Sequence, residues 1–338
     1  MQQERLPRVR RRSPTLLLLL LGLSAVLVAG SSAAGHSLRP RAHADARYLT
    51  GIGDNNTKMF YSTYWTRLHT KVVRFVAPYD AAVHRDSLVR ATAFIQAAEA
   101  AHQRILVAFY HSEHTPTRLP TVAQYMHDVR RFVKRFPHVS EYVSWDEANR
   151  GNVAHYFSSP SARAVARYYQ ALIRVCRSCA VIGLDILDGQ SLRPALSYIA
   201  EFRHEIGRLQ TIMPRIWGLH NYVDLNHYED WRTHDLARAL GGAVWLTETG
   251  GIVKFAGAFP NTHGSGLRRA AKVLQYTFRV ASAVPQIKRL YIYNWTGAPP
   301  SARWDSGITN GHLRPRPGWA VVCRELHATG CATRVSKT

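Results

Sequence analysis

The sequence predicts an α/β protein with the architecture of a single-domain (β/α)8 TIM barrel. From residue 48 onwards, short apolar segments rich in β-branched residues alternate with longer amphipathic segments, as strands alternating with helices do. Eight such units occupy about 290 residues, near the ~250 residues usual for this barrel. A doubly wound open sheet is the alternative, but no G-x-G-x-x-G follows the first strand, which runs into GIGDN.

The eight predicted strands are short and nearly all apolar in their interiors. They are YLTGIG (48–53), KVVRFVA (71–77), RILVAFY (104–110), VSEYVSW (139–145), AVIGLDI (180–186), IWGLHNY (216–222), AVWLTET (243–249) and RLYIYNW (289–295).

Amphipathic segments predict a helix after most of these strands. Several begin at Ser, Thr, Asp or Pro and end near Gly or Pro, as helix capping favours. They cover residues 87–103, 121–136, 161–178, 195–209, 235–242 and 266–284, and a final helix is predicted within 314–327. No linker-like stretch divides the units, so one domain is predicted.

The first 44 residues have the order of a secretory signal peptide followed by a short leader. An arginine cluster precedes a 16-residue apolar run, residues 15–30, and small residues follow. Cleavage is predicted after Ala34 or after Ala44, which leaves residues 45–338 as the barrel domain. An uncleaved membrane anchor is the alternative, but the run is short of the ~20 residues that a spanning helix needs. We therefore predict a secreted protein with no stable membrane insertion after cleavage.

The chain is strongly basic, with a formal net charge of +22. Residues 1–44 contain seven Arg and one Glu, so the processed chain keeps a net charge of +16. Such a charge favours anionic surfaces, and an acidic cell-wall polymer is a candidate partner. The basic residues are scattered along helical segments as on an ordinary solvated face, so no specific nucleic-acid partner is predicted.

Four cysteines remain in the predicted exported chain, and an oxidising compartment favours disulfides over a thiol catalyst. The second pair is spaced by eight residues with no adjacent histidine, which supports tetrahedral zinc poorly. Among the three possible pairings we predict the local one, Cys176 with Cys179 and Cys323 with Cys331.

Polar and aromatic side chains are concentrated where the predicted strands end. In a barrel of this kind the active site lies at the carboxyl ends of the strands. The residues there are Asp54, Asn55, Arg74, Tyr79, Asp80, Tyr110, His111, Glu113, His114, Asp146, Glu147, Asn149, Asp185, Asp188, His220, Asn221, Tyr222, Glu248, Asn294 and Trp295.

Two glutamates, Glu147 after the fourth strand and Glu248 on the seventh, are the candidate catalytic residues. Retaining hydrolysis of a glycosidic bond needs a carboxylic acid to protonate the leaving oxygen and a carboxylate about 5 to 5.5 Å away to attack the anomeric carbon. The acid needs a raised pKa, while a cation such as Arg74 and a hydroxyl such as that of Tyr222 hold the nucleophile ionised.

The chain resembles the clan of retaining (β/α)8 glycoside hydrolases, the cellulase and β-glycosidase superfamily. WDEAN at 145–149 matches three positions of the family's W-N-E-P-N-like motif, and WLTETGG at 245–251 is similar to its nucleophile motif. The resemblance covers residues 48 to 327. It implies Glu147 as acid/base and Glu248 as nucleophile, with further roles for Arg74 as the brace of the nucleophile, His220 and Tyr222 beside it, and Trp295 as the floor of the sugar site.

One position departs from the family pattern. The family usually has Asn just before the acid/base, where its amide contacts the sugar 2-hydroxyl, and this chain has Asp146. An aspartate can accept that hydrogen bond but cannot donate one, and its charge would raise the pKa of Glu147. An unusual sugar, a different bound substituent and lost activity all remain open.

The sequence-based hypothesis is a secreted, monomeric retaining glycosidase that acts on an oligo- or polysaccharide without a cofactor or metal. Asp146 and Asn149 are placed on the acid side of the substrate site. A barrel that binds carbohydrate without cleaving it is one alternative, and a polyanion-binding surface protein is another. A metal site at His111, Glu113 and His114 is a weaker alternative, since no H-E-x-x-H pattern accompanies these residues.

Overall fold

Eight parallel strands form a closed barrel, which confirms the predicted fold class. The structure is a computed structural model that describes residues 48–153, 155–262 and 264–331, and the predicted leader lies outside them. Strand 1 pairs with strand 8 as well as with strand 2, with Leu49 opposite Arg289 and Gly53 opposite Tyr293. The barrel strands are Leu49–Gly53, Val72–Pro78, Arg104–Tyr110, Glu141–Val143, a fifth in two halves (Ala180–Ile182 and Asp185–Leu187), Ile216–His220, Ala243–Thr249 and Ile287–Tyr293.

The fifth strand is interrupted, and each half pairs with a different neighbour. In the first half Ile182 lies opposite Val143 of strand 4. In the second half Asp185 lies opposite Gly218 of strand 6. The nine strand segments therefore form the eight positions of one barrel.

Helices lie outside strands two to eight, as the amphipathic segments predict. Thr121 and Ser161 cap the second and third of them, since each hydroxyl accepts a hydrogen bond from the backbone N–H three residues later. Strand 1 is followed instead by the short helices Thr57–Tyr61 and Thr63–Thr66. The outer helices are Arg85–Ala100, Val122–Arg135, Ala162–Val175, Leu192–Arg208, Trp231–Leu240 with the short Tyr222–His227 before it, Ser265–Ala283 and Pro317–Glu325.

Side chains alternate between the barrel interior and the helices, because successive residues of a strand point to opposite faces. In strand 2, Val73 and Phe75 belong to the large core shared with the helices, whereas Val72 belongs to a small cluster inside the barrel. That interior cluster comprises Val72, Leu106, Ala108, Val143, Ile182, Trp245 and Tyr291. It fills the barrel, so functional groups are confined to the rim.

One buried ion pair lies against the interior cluster, at the end of the barrel opposite the predicted site. Arg289 bonds both oxygens of Glu141 and donates to the Tyr291 hydroxyl at 2.8 Å. Its guanidinium also lies 3.6 Å from the centre of the Trp245 ring. Both charges are thereby compensated in the low-dielectric interior.

The predicted disulfide pairing is confirmed. Cys176 bonds Cys179 at the end of helix Ala162–Val175, and Cys323 bonds Cys331 beyond the last helix. Within the described ranges, no helix combines the length and apolar character needed to cross a membrane.

Candidate active site

Six charged or titratable side chains meet inside the carboxyl-terminal end of the barrel. They come from five different strands or strand ends, and all are exposed by 8% or less. The group consists of Arg74, Asp146, Glu147, Asp185, His220 and Glu248. So many ionisable groups in one buried place cannot be explained by packing, since burial without compensation is costly.

Strand alternation places Arg74 in this cluster. It lies between Val72 and Val76 on the face of strand 2 that points into the barrel. Its side chain is fully buried, and Nη1 donates to Glu248 Oε1 at 2.6 Å while Nη2 pairs with Asp146. Nη2 is also 3.7 Å from Asp185 Oδ2. One guanidinium therefore compensates three carboxylates from three other strands.

A β-bulge in strand 7 turns Glu248 toward the same place. Gly218 lies opposite Trp245, but His220, two residues later, lies opposite Glu248, three residues later. The extra residue shifts the alternation, because Val244 and Leu246 face the outer core and regular pairing would direct Glu248 outward with them. Bulges re-aim side chains in this way beside active sites.

Glu147 has an unusual backbone. Its φ is 44°, in the left-handed region that side chains other than glycine seldom adopt. The next N–H, that of Ala148, donates to Asp185 O at 2.9 Å, and the N–H before it, that of Asp146, donates to Phe109 O at 2.7 Å. Neighbouring strands 3 and 5 thus hold a conformation that is otherwise unfavourable, and such strain clusters at functional sites.

His220 connects the two candidate catalytic glutamates. Its Nδ1 lies 3.2 Å from Glu147 Oε1 and 3.7 Å from Glu248 Oε2, and its Nε2 lies 3.3 Å from Asp185 Oδ2. The two glutamate oxygens therefore cannot be farther apart than the sum of the first two distances. The hydroxyl of Tyr222 donates to Glu248 Oε2 at 3.3 Å.

The surroundings of His220 favour the imidazolium form. Burial would lower the pKa of His220, but Asp185, Glu248 and Glu147 outweigh burial and raise this pKa well above its ordinary value. Burial raises the pKa of Asp185 in turn, yet His220, Arg74 and the Thr247 hydroxyl bring it below its ordinary value. Asp185 and His220 thus stabilise each other's charge.

The two adjacent acids after strand 4 differ in their pKa shifts. Burial raises the pKa of Asp146 well above its ordinary value, even though Arg74 opposes this, because Glu248 and Asp185 add repulsion. Burial also opposes the charge of Glu147, but hydrogen bonding and attraction from His220 and Arg150 bring its pKa below the ordinary value. The raised pKa expected for Glu147 is therefore found on Asp146 in this state of the site.

Two residues of the site are not indicated by the sequence motifs. Asp185 is a polar strand-end residue with no motif around it, yet it bonds Thr247 and lies beside Arg74 and His220. Arg150 directly follows the WDEAN motif, three residues after Glu147, and pairs with it. The sequence feature that could have indicated Asp185 is its position as the one charged residue in the otherwise apolar segment AVIGLDI, residues 180–186.

Two predicted substrate contacts have other partners. The Asn149 amide donates to Leu187 O at 3.0 Å and accepts from Leu187 N at 2.8 Å, so it ties the loop after strand 4 to strand 5. Trp295 is fully buried and packs edge-on against Trp65, with ring centres 5.6 Å apart. It offers no surface to a sugar ring, contrary to the sequence-based expectation.

Trp304 is better placed than Trp295 to contact a sugar. It is partly exposed, and its ring lies 5.2 Å from the ring of Tyr222, which bonds Glu248. A short antiparallel strand pair, Trp304–Asp305 with Lys254–Phe255, holds it beside the rim. A partly exposed aromatic ring beside the candidate carboxylates could stack on an apolar face of a ligand.

The donor set does not suit a metal ion. Ligand atoms of Asp146, His220 and Glu248 lie within 4.8 Å of one another. However, the Arg74 guanidinium pairs with both of these carboxylates, and the imidazolium form of His220 has no lone pair to offer. The alternative site around His114 also fails among the described residues, because His114 pairs with Asp86 while Glu113 pairs with Arg90.

Comparison with known proteins supports the fold. No family model and no curated protein matches the chain, but solved structures do. Xylanase 10B from Thermotoga maritima is 13% identical, with 83% of this chain and 95% of that chain covered and a TM-score of 0.61. A GH10 protein from Paenibacillus barcinonensis is 9% identical, with 85% and 97% covered and a TM-score of 0.59. A fungal β-1,4-galactanase is 9% identical, with 82% and 99% covered and a TM-score of 0.58.

The chain has the fold of (β/α)8 glycoside hydrolases. The resemblance that the WDEAN and WLTETGG motifs indicated is therefore confirmed for the fold. At 9–13% sequence identity, these matches show that the chain shares the barrel fold of those proteins.

Proposed function

We propose that this protein is a secreted retaining O-glycoside hydrolase, with Glu147 as acid/base and Glu248 as nucleophile. The observation that carries the proposal is the pair of distances from His220 Nδ1, 3.2 Å to Glu147 and 3.7 Å to Glu248. They limit the gap between the two carboxylates to a value compatible with the ~5 to 5.5 Å of retaining enzymes and below most of the ~6.5 to 9.5 Å of inverting ones.

The proposed reaction has two displacements. The Glu248 carboxylate attacks the anomeric carbon while Glu147 gives its proton to the leaving oxygen, which forms a glycosyl ester and releases the aglycone. Glu147, now a carboxylate, takes a proton from water as the water oxygen attacks the same carbon. The ester bond breaks, and both glutamates return to their starting states.

Neighbouring residues have supporting roles in this proposal. Arg74 and the Tyr222 hydroxyl, at 2.6 Å and 3.3 Å from Glu248, hold the nucleophile in place. Asp146 binds Arg74 on the acid side, and His220 spaces the two glutamates. Trp304 replaces Trp295 as the proposed stacking surface, and Asn149 positions the loop that carries Glu147.

The remaining parts of the proposal concern the whole chain. Removal of residues 1–44 would leave a catalytic domain of residues 45–338, which acts outside the cell as a monomer on an oligo- or polysaccharide. The two disulfides are consistent with an oxidising compartment. No cofactor takes part in the proposed reaction.

The decisive test replaces Glu248 by Gly. We expect Glu248→Gly to abolish hydrolysis of every aryl glycoside or polysaccharide that the wild type cleaves, and added azide to restore turnover as a glycosyl azide of inverted anomeric configuration. Glu201→Gly, on the exposed side of helix Leu192–Arg208, is the matched control and should keep full activity. Full activity of Glu248→Gly would end the proposal.

A second candidate is a barrel that binds glycans without cleaving them. The lowered pKa of Glu147 favours it, because an acid/base must carry a proton before it can donate one. Binding of glycans on an array, with no turnover of a broad panel of aryl glycosides and polysaccharides, would favour this candidate over the enzyme.

A further inference from the structure

Arg150 is a cation of the site that substrate can reach. Nearly half of its side chain, 45%, is exposed, whereas that of Arg74 is fully buried. Its Nη1 pairs with Glu147 Oε2, and its guanidinium lies 5.0 Å from the centre of the Phe157 ring. The ring orients the guanidinium at the rim of the site.

This pairing opposes the chemistry proposed for Glu147. The acid must be protonated to release the aglycone, but Arg150 and His220 together stabilise its ionised form. His220 is fixed in the interior by Asp185. Arg150 can move, because it is on the exposed side and belongs to an irregular loop. Separating Arg150 from Glu147 would therefore let Glu147 bind a proton at a higher pH.

A second donor for an anion lies beside Arg150. The hydroxyl of Tyr110 is buried and lies within reach of the Arg150 guanidinium, which can only donate to it, and its own proton has no acceptor among the described residues. It interacts electrostatically with Glu147 and Arg150, and burial raises the pKa of Tyr110, so the hydroxyl keeps its proton. A buried hydroxyl proton without an acceptor is uncommon in folded proteins and here points to a ligand.

We propose that the natural substrate carries an anionic substituent, a carboxylate or a sulfate near the scissile bond, which binds Arg150 and draws it away from Glu147. This inference rests on the proposed glycosidase function and names its substrate class. The guanidinium is suited to both anions, because its parallel N–H groups match two oxygens. When Arg150 turns to the substrate, Glu147 takes one proton from solvent and later transfers it to the leaving oxygen.

Among the charged groups around Glu147, Arg150 is the one that a substrate can displace. The other titratable groups that face Glu147 lie on the second to seventh strands or just beyond them and are buried, or nearly so. They are Arg74, Tyr110, Asp146, Asp185, His220, Tyr222 and Glu248. An anion bound to Arg150 thus changes the balance at the acid without rearranging the barrel interior.

The test compares paired aryl glycosides that differ only in charge: glucuronide with glucoside, galacturonide with galactoside, and sulfated with unsulfated sugar. For the wild type, we expect kcat/KM to be about 10-fold to 100-fold higher for the anionic member of at least one pair. Arg150→Gln should reduce that ratio to about one, and Arg150→Lys should keep part of it. The uronide and sulfate pairs distinguish the two anions.

The pH profile separates this role from a structural one. With an anionic substrate, the basic limb of kcat, which reports the complex, should lie at higher pH than that of kcat/KM, which reports the free enzyme. In Arg150→Gln the two limbs should coincide. The matched control is Arg238→Gln, which breaks the exposed pair of Asp235 and Arg238 with the same spacing of three residues and should leave both the ratio and the limbs unchanged.

Equal turnover of charged and neutral members by the wild type would overturn this inference and leave the glycosidase proposal standing. Loss of all activity in a folded Arg150→Gln protein, on neutral substrates as well, would also overturn it. Absence of turnover on the whole panel, with Glu248→Gly indistinguishable from wild type, would instead count against the proposed function itself. If Arg150→Gln does not fold, the salt dependence of the wild type decides: KM should rise with salt for anionic substrates only.

Discussion

At the scale of single residues, the site is governed by a shortage of cations. Four acids, Asp146, Glu147, Asp185 and Glu248, are buried around one interior guanidinium and one imidazole. Arg74 is shared among three of these acids and cannot compensate all of them fully. The acid for which burial and repulsion are strongest therefore has the most strongly raised pKa and favours its neutral form. That acid is Asp146, whose pKa is raised well above its ordinary value.

A neutral Asp146 resembles the asparagine of the W-N-E-P-N-like motif at this position, since a protonated carboxyl can donate a hydrogen bond. We expect Asp146→Asn to keep activity within about tenfold of wild type. It should also raise the free energy of unfolding at pH 7 by more than about 1 kcal/mol. The native state holds a proton that the unfolded chain releases, so wild-type stability falls as pH rises above the ordinary aspartate pKa toward the raised one.

Urea unfolding at pH 3.5 and pH 7 measures this effect. The two proteins should be similarly stable at the acidic pH and diverge at the neutral one. Asp235→Asn, on an exposed helix position, should change stability by less than about 0.5 kcal/mol at both. If Asp146→Asn is less stable than wild type at pH 7, Asp146 is ionised in the native state and forms a stabilising ion pair with Arg74.

At the scale of elements, two neighbouring strands make room for the site. Strand 7 carries the bulge that directs Glu248 inward, and strand 6 contributes Gly218, which lies against Asp185. A Cβ on Gly218 would lie 2.2 Å from Asp185 Oδ1 and 2.9 Å from Thr247 Oγ1. Glycine is needed here for the close approach of a buried carboxylate.

Gly218→Ala should therefore lower the free energy of unfolding by about 1 to 3 kcal/mol, as overpacking of a rigid core does. It should also lower kcat, because Asp185 would be displaced from His220. Gly207→Ala is the matched control: it lies in helix Leu192–Arg208 with no atom within 4 Å of its added Cβ. This control should raise stability by about 0.4 to 1 kcal/mol. Equal effects of the two variants would contradict the packing argument.

At the scale of the whole molecule, closure of the barrel brings distant parts of the chain together. Arg74 and Glu248 are 174 residues apart in sequence and in direct contact. The last helix, Pro317–Glu325, packs against helix Ser265–Ala283, and the Cys323–Cys331 disulfide fixes the chain after it. That disulfide lies at the end of the element that covers strand 8.

Removing this disulfide should destabilise the protein more than removing the other. Cys323 and Cys331 are separated by eight residues, and Cys176 and Cys179 by three. In the chain-entropy account, the longer loop contributes about 2.5 kcal/mol and the shorter about 1.5 kcal/mol. Thermal and urea unfolding of Cys323→Ala/Cys331→Ala and of Cys176→Ala/Cys179→Ala measures the difference. A greater loss in the second pair of substitutions would contradict the account.

The sequence alone determined the fold, because the barrel is specified by local pattern. Strands 104–110 and 243–249 have the bounds that their apolar runs predict, and the others differ at their ends. The fourth is shorter, Glu141–Val143, because the chain then bends and turns Asp146 and Glu147 into the buried site. The positions of Arg74, His220 and Glu248 were predictable for the same reason: rigid strands present them at fixed places, and Tyr222 follows strand 6 at the start of the helix Tyr222–His227.

Only the tertiary structure decided how these side chains share charge. Sequence spacing does not report that Asp185 stands between Arg74 and His220, that Trp295 is buried, or that Arg150 pairs with Glu147. The physical reason is range: a strand forms from the pattern of its own residues, whereas a pKa or a buried face depends on atoms from five strands that meet only when the barrel closes.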